Sequence, residues 1–412
     1  MKQFCLWLVT NKKKRSGFMS HAYIVAAQRT PIGRFQGIFK NMSAPRLGAV
    51  VVKNILQSTG LNASQVDEIM MGEVLTAGVG QAPARQTALY AGLPQSVRAV
   101  TIGKVCGSGM QSIILAAQSV MLGDSHCVIA GGQENMTLAP YLLPMARDGM
   151  RMGHKELLDS MIYDGLWDPY DHVHMGSCAE ACVQEHHFTR QQQDEFAIQS
   201  YLKAQNATAS GLFKNEIVPV NVEQGKSTVL VEKDEEPFAS DLNKVANLKP
   251  AFDKNGTITA ANASKINDGA AAVLVVSESF MKQNNLKPLA KIISWSGHAH
   301  EPKWFTTAPV AAMENALKKA NLTMKDIDLY EINEAFAVVA LYAIKKLSLP
   351  PDKVNIHGGA CALGHPIGAS GTRIVTTLLH ALQQQQKKLG MASLCIGGGE
   401  GLAIIIENCS KA

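Results

Sequence analysis

The stretch 99–134, AVTIGKVCGSGMQSIILAAQSVMLGDSHCVIAGGQE, decides the fold. It reads as an extended apolar run, a turn holding Cys106, a strongly apolar helix from Ser108 that stops at Gly123, and a second extended run ending in glycines. Strand, helix and strand at this spacing predict an α/β layer structure with parallel pairing. Working outward, AYIVAAQRTPIG (22–33) and VDEIMMGEVL (66–75) read as strands. APRLGAVVVKNILQSTG (44–60) reads as a helix stopped by glycine. The same alternation resumes late in the chain. GAAAVLVVS (269–277) and PLAKIISWSG (288–297) are strands, and APVAAMENALKKANLT (308–323) is a helix. GHPIGASGTRIVTTLLHALQQQQ (364–386) is a longer helix, and MASLCIGGGEGLAIIIEN (391–408) a hairpin. Residues 19–136 and 287–412 are therefore expected to be two copies of one layout, the first completed by about 266–286. Between them, 137–265 changes character, with a long polar helix at 189–211 and much loop. It reads as an inserted domain of the kind that shapes a binding site.

Composition narrows the function classes. Apolar residues make up 46% of the 412 and charged residues 18%, an ordinary globular balance. The net charge of +5 is carried by Lys2, Lys12, Lys13, Lys14 and Arg15. The rest of the chain is neutral, which argues against nucleic acid as a partner. No apolar run reaches the length of a membrane span, so no membrane partner is expected. Segment 1–18 reads most simply as an upstream extension. A membrane-touching basic tail and an organelle-targeting segment are the alternatives. Eight cysteines without a short-spaced framework suit reduced thiols in a cytoplasmic protein.

Three polar residues sit among glycines: Cys106 in GKVCGSG, His365 in ALGHPIGASG and Cys395 in CIGGGEG. A cysteine at a helix start feels unpaired N–H donors that favour its thiolate, the form that attacks a thioester. An imidazole can take its proton. A second cysteine could pull a proton from carbon, and the backbone N–H groups of Cys106 and Gly397 could hold an oxyanion. Asn333, in YEINEAFA, can position a water or stabilise an oxyanion, or simply cap a helix; Glu334 beside it could orient the network. Each of these has a plainer reading as a buried cysteine or a turn residue. His357 is read as packing. A metal role for Asp171, His172 and His174, or a zinc set of Cys106, His365 and Cys395, fits no strong ligand spacing, so no metal is expected.

With these residues in hand, the chain resembles the thiolase family, in its biosynthetic acetyl-CoA acetyltransferase branch. The resemblance rests on VAAQRTPIGRF, KVCGSGMQS, AGGQENMT, DGLWD, HMG, ANASKINDGAAAV, EINEAFA, GGACALGHPIGASG and CIGGGEG, in family order over 19–412. It implies a fold of two similar α/β halves in a layered αβαβα core, each half with a five-stranded sheet, plus a loop domain for coenzyme A. It implies that Cys106 is acylated, that His365 activates it, that Asn333 holds an oxyanion-hole water, and that Cys395 is the acid/base at carbon. Ser264 resembles a contact to pantetheine. His174 and Met175 resemble residues beside a short acyl group. The stretch 138–165 resembles a loop that joins two dimers into a homotetramer. The implied reaction joins two acetyl-CoA into acetoacetyl-CoA and coenzyme A, reversibly, with no cofactor. A broader 3-ketoacyl-CoA thiolase of fatty-acid degradation and a non-catalytic CoA- or lipid-binding relative are the alternatives. Two positions depart from the family pattern: Ala261 stands where glycine is usual, and Glu400 where methionine or glutamine is common.

Overall fold

The computed structural model describes residues 21–410, so the expected extension at 1–18 lies outside the described residues. Nine strands follow one another across the main sheet: β1 (Ala22–Arg29), β2 (Glu68–Gly72), β3 (Arg98–Ile102), β4 (Cys127–Asn135), β5 (Asn267–Ser277), β6 (Ala290–Ala299), β7 (Leu329–Ile332), β8 (Leu389–Ile396) and β9 (Glu400–Asn408). Their spatial order is β7-β8-β9-β6-β1-β5-β4-β2-β3. Within the sheet the two halves meet at β1 and β6, where Tyr23 pairs with Lys291 and Ile24 with Ala290.

Each half uses the same order. From the meeting point outward, β1, β5, β4, β2 and β3 correspond to β6, β9, β8, β7 and a last position. That last position is a single bridge between Val354 and Tyr330 in the C-terminal half. The expectation of five full strands per half thus holds for the first half, while the second has four strands and a bridge. Parallel pairing is likewise confined to the outer strands, β2 with β3 and β4, and β7 with β8. The inner pairs are antiparallel. The reason is connectivity. A strand entered through a three-residue turn or after a long excursion can reverse direction, whereas parallel neighbours need a crossover helix.

Period-two alternation builds the layers. Leu402, Ile404 and Ile406 of β9 face the molecule's centre, while Ala403 and Ile405 face an outer helix. On β5, Val273 and Val275 point inward and Leu274 and Val276 outward. The centre is filled by two helices, α3 (Ser108–Leu122) and α8 (Ile367–Gln384), packed on each other and on both halves' strands. Outer layers are α1 (Ala44–Thr59) and α2 (Pro83–Tyr90) on one side and α6 (Ala308–Ala320) on the other. Residues Val105–Leu122 are apolar and long enough to cross a membrane. Their apolarity instead reflects a helix sandwiched between two sheets. Every residue of α8 from Ile367 to Leu382 is buried. Of the four glutamines at 383–386, Gln384 turns in and bonds His357 at 2.9 Å.

Residues 136–266 leave the end of β4 and return at β5. They hold α4 (Met175–His186), α5 (Arg190–Ala209) and three two-stranded hairpins. Helix α5 is polar in composition but buries Gln193, Ala197, Ser200, Tyr201, Ala204 and Ala207, a stripe at helical spacing. This stripe packs on α7 (Ala337–Leu347) and the turn at Ala360–Leu363. Buried Arg29 bonds Glu216 at 2.6 Å and Asp234 at 2.7 Å, tying the excursion back to β1.

Candidate active site

Cys106 stands between β3 and α3. Val105 before it has φ +44°, a conformation β-branched residues avoid. Ser108 holds this turn, its Oγ accepting the Lys104 N–H at 2.8 Å and donating to the Val105 carbonyl at 2.7 Å. The backbone N–H dipoles of Gly397 and of Cys106 itself favour the thiolate. Burial outweighs both and pushes the thiol up to about 12. The expected resting thiolate is therefore corrected: the helix start is present, but enclosure in a low-polarity wall leaves a neutral thiol.

Gly397 follows β8 and opens the turn to β9. Gly399 in this turn has φ +84°, and a side chain there would start 2.4 Å from the His300 carbonyl oxygen. Cys395, on β8, is fully buried. Burial, and secondarily Cys106, raise its thiol well above the usual range, so it too rests protonated.

His365 is 4% exposed at the entry to α8. Its backbone N–H is held by Asn267 Oδ1 at 2.9 Å. Gly364 before it has φ +104°, and a side chain would lie 2.4 Å from Asn267. The ring's Nδ1 meets Ser370 Oγ at 2.6 Å, and that hydroxyl donates to the Pro366 carbonyl at 2.9 Å. One hydroxyl proton cannot serve both, so Ser370 accepts Nδ1–H and leaves Nε2 bare. Nε2 faces Asn333 Nδ2 at 3.5 Å. Burial, then the charge of Arg373, lower the imidazole to about 3. It is a neutral base aimed by its neighbours.

Asn333 follows β7, its N–H bonded to the Ser393 carbonyl at 2.9 Å. Its Oδ1 is buried and has no partner among the described residues. The expected capping alternative does not apply, because Phe336 is the residue preceding α7. Glu334 does not reach the histidine. It accepts bonds from Ser200, Asn355 and the Cys361 N–H at 2.7, 2.8 and 3.0 Å, and so fixes the loop's back.

His365 pairs with Asn333, and Cys106 lies with Gly397 and Cys395. Ile367, two residues past His365, packs with Cys106, and Ser393, two residues before Cys395, holds the Asn333 N–H, so the two groups share one site. Met175 joins it, its Sδ 3.8 Å from where a Gly397 side chain would begin, in the cluster with Cys395 and Phe336. His174 and Ser264 lie at the margin. His174 caps α4 by accepting the Gly176 N–H at 3.1 Å and stacks on Phe252, ring centres 4.7 Å apart. Phe252 touches Phe336 at 6.0 Å. The Ser264 N–H bonds the Ala335 carbonyl at 2.9 Å. Asp171 and His172 do not converge with His174 on a point; among the described residues no three such groups could hold a metal ion. Sequence reasoning missed Ser370 and Asn267, which fix the histidine. The first could have been read from its place five residues beyond His365, one helical turn from Pro366.

Residues 22–279 match the family described as thiolase, N-terminal domain, and 286–408 match thiolase, C-terminal domain. The chain belongs to the thiolase family. Among curated thiolases, the Cupriavidus necator acetyl-CoA acetyltransferase is 51% identical over 94% of this chain and 100% of its own. The cytosolic acetyl-CoA acetyltransferase of Gibberella zeae is 50% identical over 94% of this chain and 98% of its own. Among solved thiolases, the Bacillus anthracis acetyl-CoA acetyltransferase superposes with a TM-score of 0.93 at 41% identity, covering 95% of this chain and 99% of that one. The Acat5 thiolase of Ascaris suum, in complex with coenzyme A, gives 0.90 at 45%, covering 94% and 100%.

Proposed function

We propose the following division of labour for an acetyl-CoA acetyltransferase. The chain joins acetyl units carried on coenzyme A, as its close relatives' names indicate. Cys106 gives its proton to His365 Nε2 and attacks the acetyl carbonyl. The Cys106 and Gly397 N–H groups hold the oxyanion. Cys395, resting as a thiol, protonates the departing coenzyme A sulfur and becomes a thiolate. That thiolate takes a methyl proton from a second acetyl-CoA. The resulting carbanion attacks acetyl-Cys106, while protonated His365 and a water on Asn333 Oδ1 support the second oxyanion. Collapse frees acetoacetyl-CoA, and Cys106 recovers its proton from His365. Every proton is returned, and covalent catalysis divides the barrier.

The observation that carries this reading is the buried imidazole of His365, fixed through Nδ1 by Ser370 with Nε2 toward Asn333; two residues on, Ile367 packs in the cluster with Cys106. The test is mass spectrometry of the enzyme mixed with acetyl-CoA. The acetyl group is expected on Cys106; its appearance elsewhere with Cys106 free would refute the assignment. Met175 against Gly397 supports a short acyl pocket. Activity on a four-carbon 3-ketoacyl-CoA should greatly exceed that on a ten-carbon one. Comparable kcat/KM would move the chain to the broader-chain class.

Ser264, His174 and the excursion 137–265 are assigned to binding coenzyme A thioesters, a reading supported by the coenzyme A held by the Ascaris suum relative. The exposed Tyr141, Met145, Met150, Met152, Leu157 and Tyr163 support 138–165 as the surface joining dimers into a homotetramer. Light scattering tests this, and a dimer mass refutes it. A cytosolic site of action is supported by the name of the Gibberella zeae relative.

A further inference from the structure

Sheet register places a second polar pair opposite the reactive one. The last parallel pair of β2 and β4 is Gly72 with Gly132, and that of β7 and β8 is Ile332 with Ser393. One residue on stand Glu73 in the first half and Asn333 in the second. Two residues past the other member stand Glu134 and Cys395. The internal symmetry therefore sets Glu73 and Glu134 where the other half carries Asn333 and Cys395. The acids are 1% and 0% exposed.

Glu134 Oε2 accepts the Val74 N–H at 3.0 Å and the Gly368 N–H at 2.9 Å, and Oε1 accepts the Leu75 N–H at 3.2 Å. Gly368 lies in the first turn of α8, three residues after His365. Leu75 packs with Ile367 and against Cys106. One carboxylate thus ties the helix that follows the histidine to the wall of the nucleophile. Glu73 Oε2 accepts the Gln133 Nε2–H at 2.7 Å, and its Oε1 is buried without a partner among the described residues.

We propose that Glu134 is a positioning residue for acetyl transfer, fixing the start of α8 and with it His365 against Cys106. The proposal rests on the reading that Cys106 is acetylated with His365 as base. The titratable groups facing Glu134 are Glu73 beyond β2, Asp268 on β5 and Cys106 before α3, with neutral His365 beyond Gly368. Burial raises Glu134 to about 7 against the pull of its three N–H donors, and burial with the charge of Glu134 raises Glu73 to about 8. As pH falls through this range, a proton turns one acceptor of the clamp into a donor, and the clamp loosens. As pH rises it is completed. His365 and Cys106 ionise well outside this window, at about 3 and about 12.

The experiment follows the rate of acetyl-Cys106 formation in the full-length enzyme by quenched mass spectrometry, from about pH 5.5 to about 9. The wild type should accelerate across neutrality. Glu134→Gln should lose that limb and be roughly tenfold slower at the alkaline end, a change of about 1.4 kcal/mol in barrier. Glu73→Gln should keep the limb, because Glu73 is the weaker acid and is still neutral while Glu134 ionises. A flat wild-type profile, or a limb retained in Glu134→Gln, overturns the proposal. Should Glu134→Gln fail to fold, Glu73→Gln decides: a retained limb supports the proposal, and a lost limb, which would make Glu73 the titrating group, overturns it. Absence of acetyl-Cys106 in the wild type at every pH would instead sink the underlying function.

Discussion

The two halves share one strand order but close it differently. In the C-terminal half, β8 turns into β9 through Gly397–Gly399; in the N-terminal half, the same junction is filled by residues 136–266. The short turn brings Gly397 against the Cys106 turn, beside Val105. The long excursion brings Met175 beside Gly397 and, at the margin, Phe252 onto Phe336 and Ser264 onto Ala335. Position by position, one half presents Asn333 and Cys395 where the other buries Glu73 and Glu134. At these two positions one half carries groups proposed to meet the reacting atoms, and the other carries carboxylates, of which Glu134 accepts the N–H of Gly368 in the first turn of α8. A duplicated frame lets the same two sheet positions serve either task, because strand register fixes where a side chain stands and not what it does.

The comparison breaks most visibly at Cys395. Cys395→Ala should form acetyl-Cys106 yet lose carbon–carbon condensation by roughly 10²–10⁴-fold. Condensation at the wild-type rate would remove any functional difference between this position and its counterpart. Next in size is the anchoring of the excursion. Asp234→Ala leaves Arg29 buried with one of its two carboxylates. It should cost about 3–5 kcal/mol, read from denaturant midpoints. A loss below about 1 kcal/mol would mean that the excursion is held by its helices alone.

Smaller effects sharpen the picture. Ser370→Ala frees the His365 tautomer and should slow Cys106 acetylation roughly threefold to tenfold with little change in KM, since one such bond is worth about 0.5–1.5 kcal/mol. An equal fall in affinity and no fall in rate would make Ser370 a packing residue. The smallest effect concerns Glu400, which pairs with Lys104 across the nucleophile turn and the glycine turn. Glu400→Gln should change turnover by no more than about two- to threefold, with the difference fading in salt, because the pair is partly exposed. A tenfold loss would show that the glycine turn depends on that ion pair for its position.

Much of this was legible in the chain itself. The strand–helix–strand pattern around Cys106 fixed the α/β class, because apolar periodicity and glycine stops act locally. The residue types at Cys106, Asn333, His365 and Cys395 announced their chemistry for the same reason. Other features were not legible. Antiparallel pairing of the inner strands follows from how the excursion and the glycine turn reverse the chain, which no single segment encodes. The reduction of the second half's last strand to one bridge at Val354 depends on its neighbours. The protonation of the site was misread from sequence. A helix start argues for a thiolate, but enclosure between two sheets costs a bare charge more than nearby N–H donors return. The sequence by itself determined which groups are available to the proposed reaction, since those are properties of residues. Only the tertiary structure decided that both thiols rest neutral, that Ser370 leaves Nε2 of His365 bare, and that Glu134 stands behind them, since burial and contact belong to the packed chain.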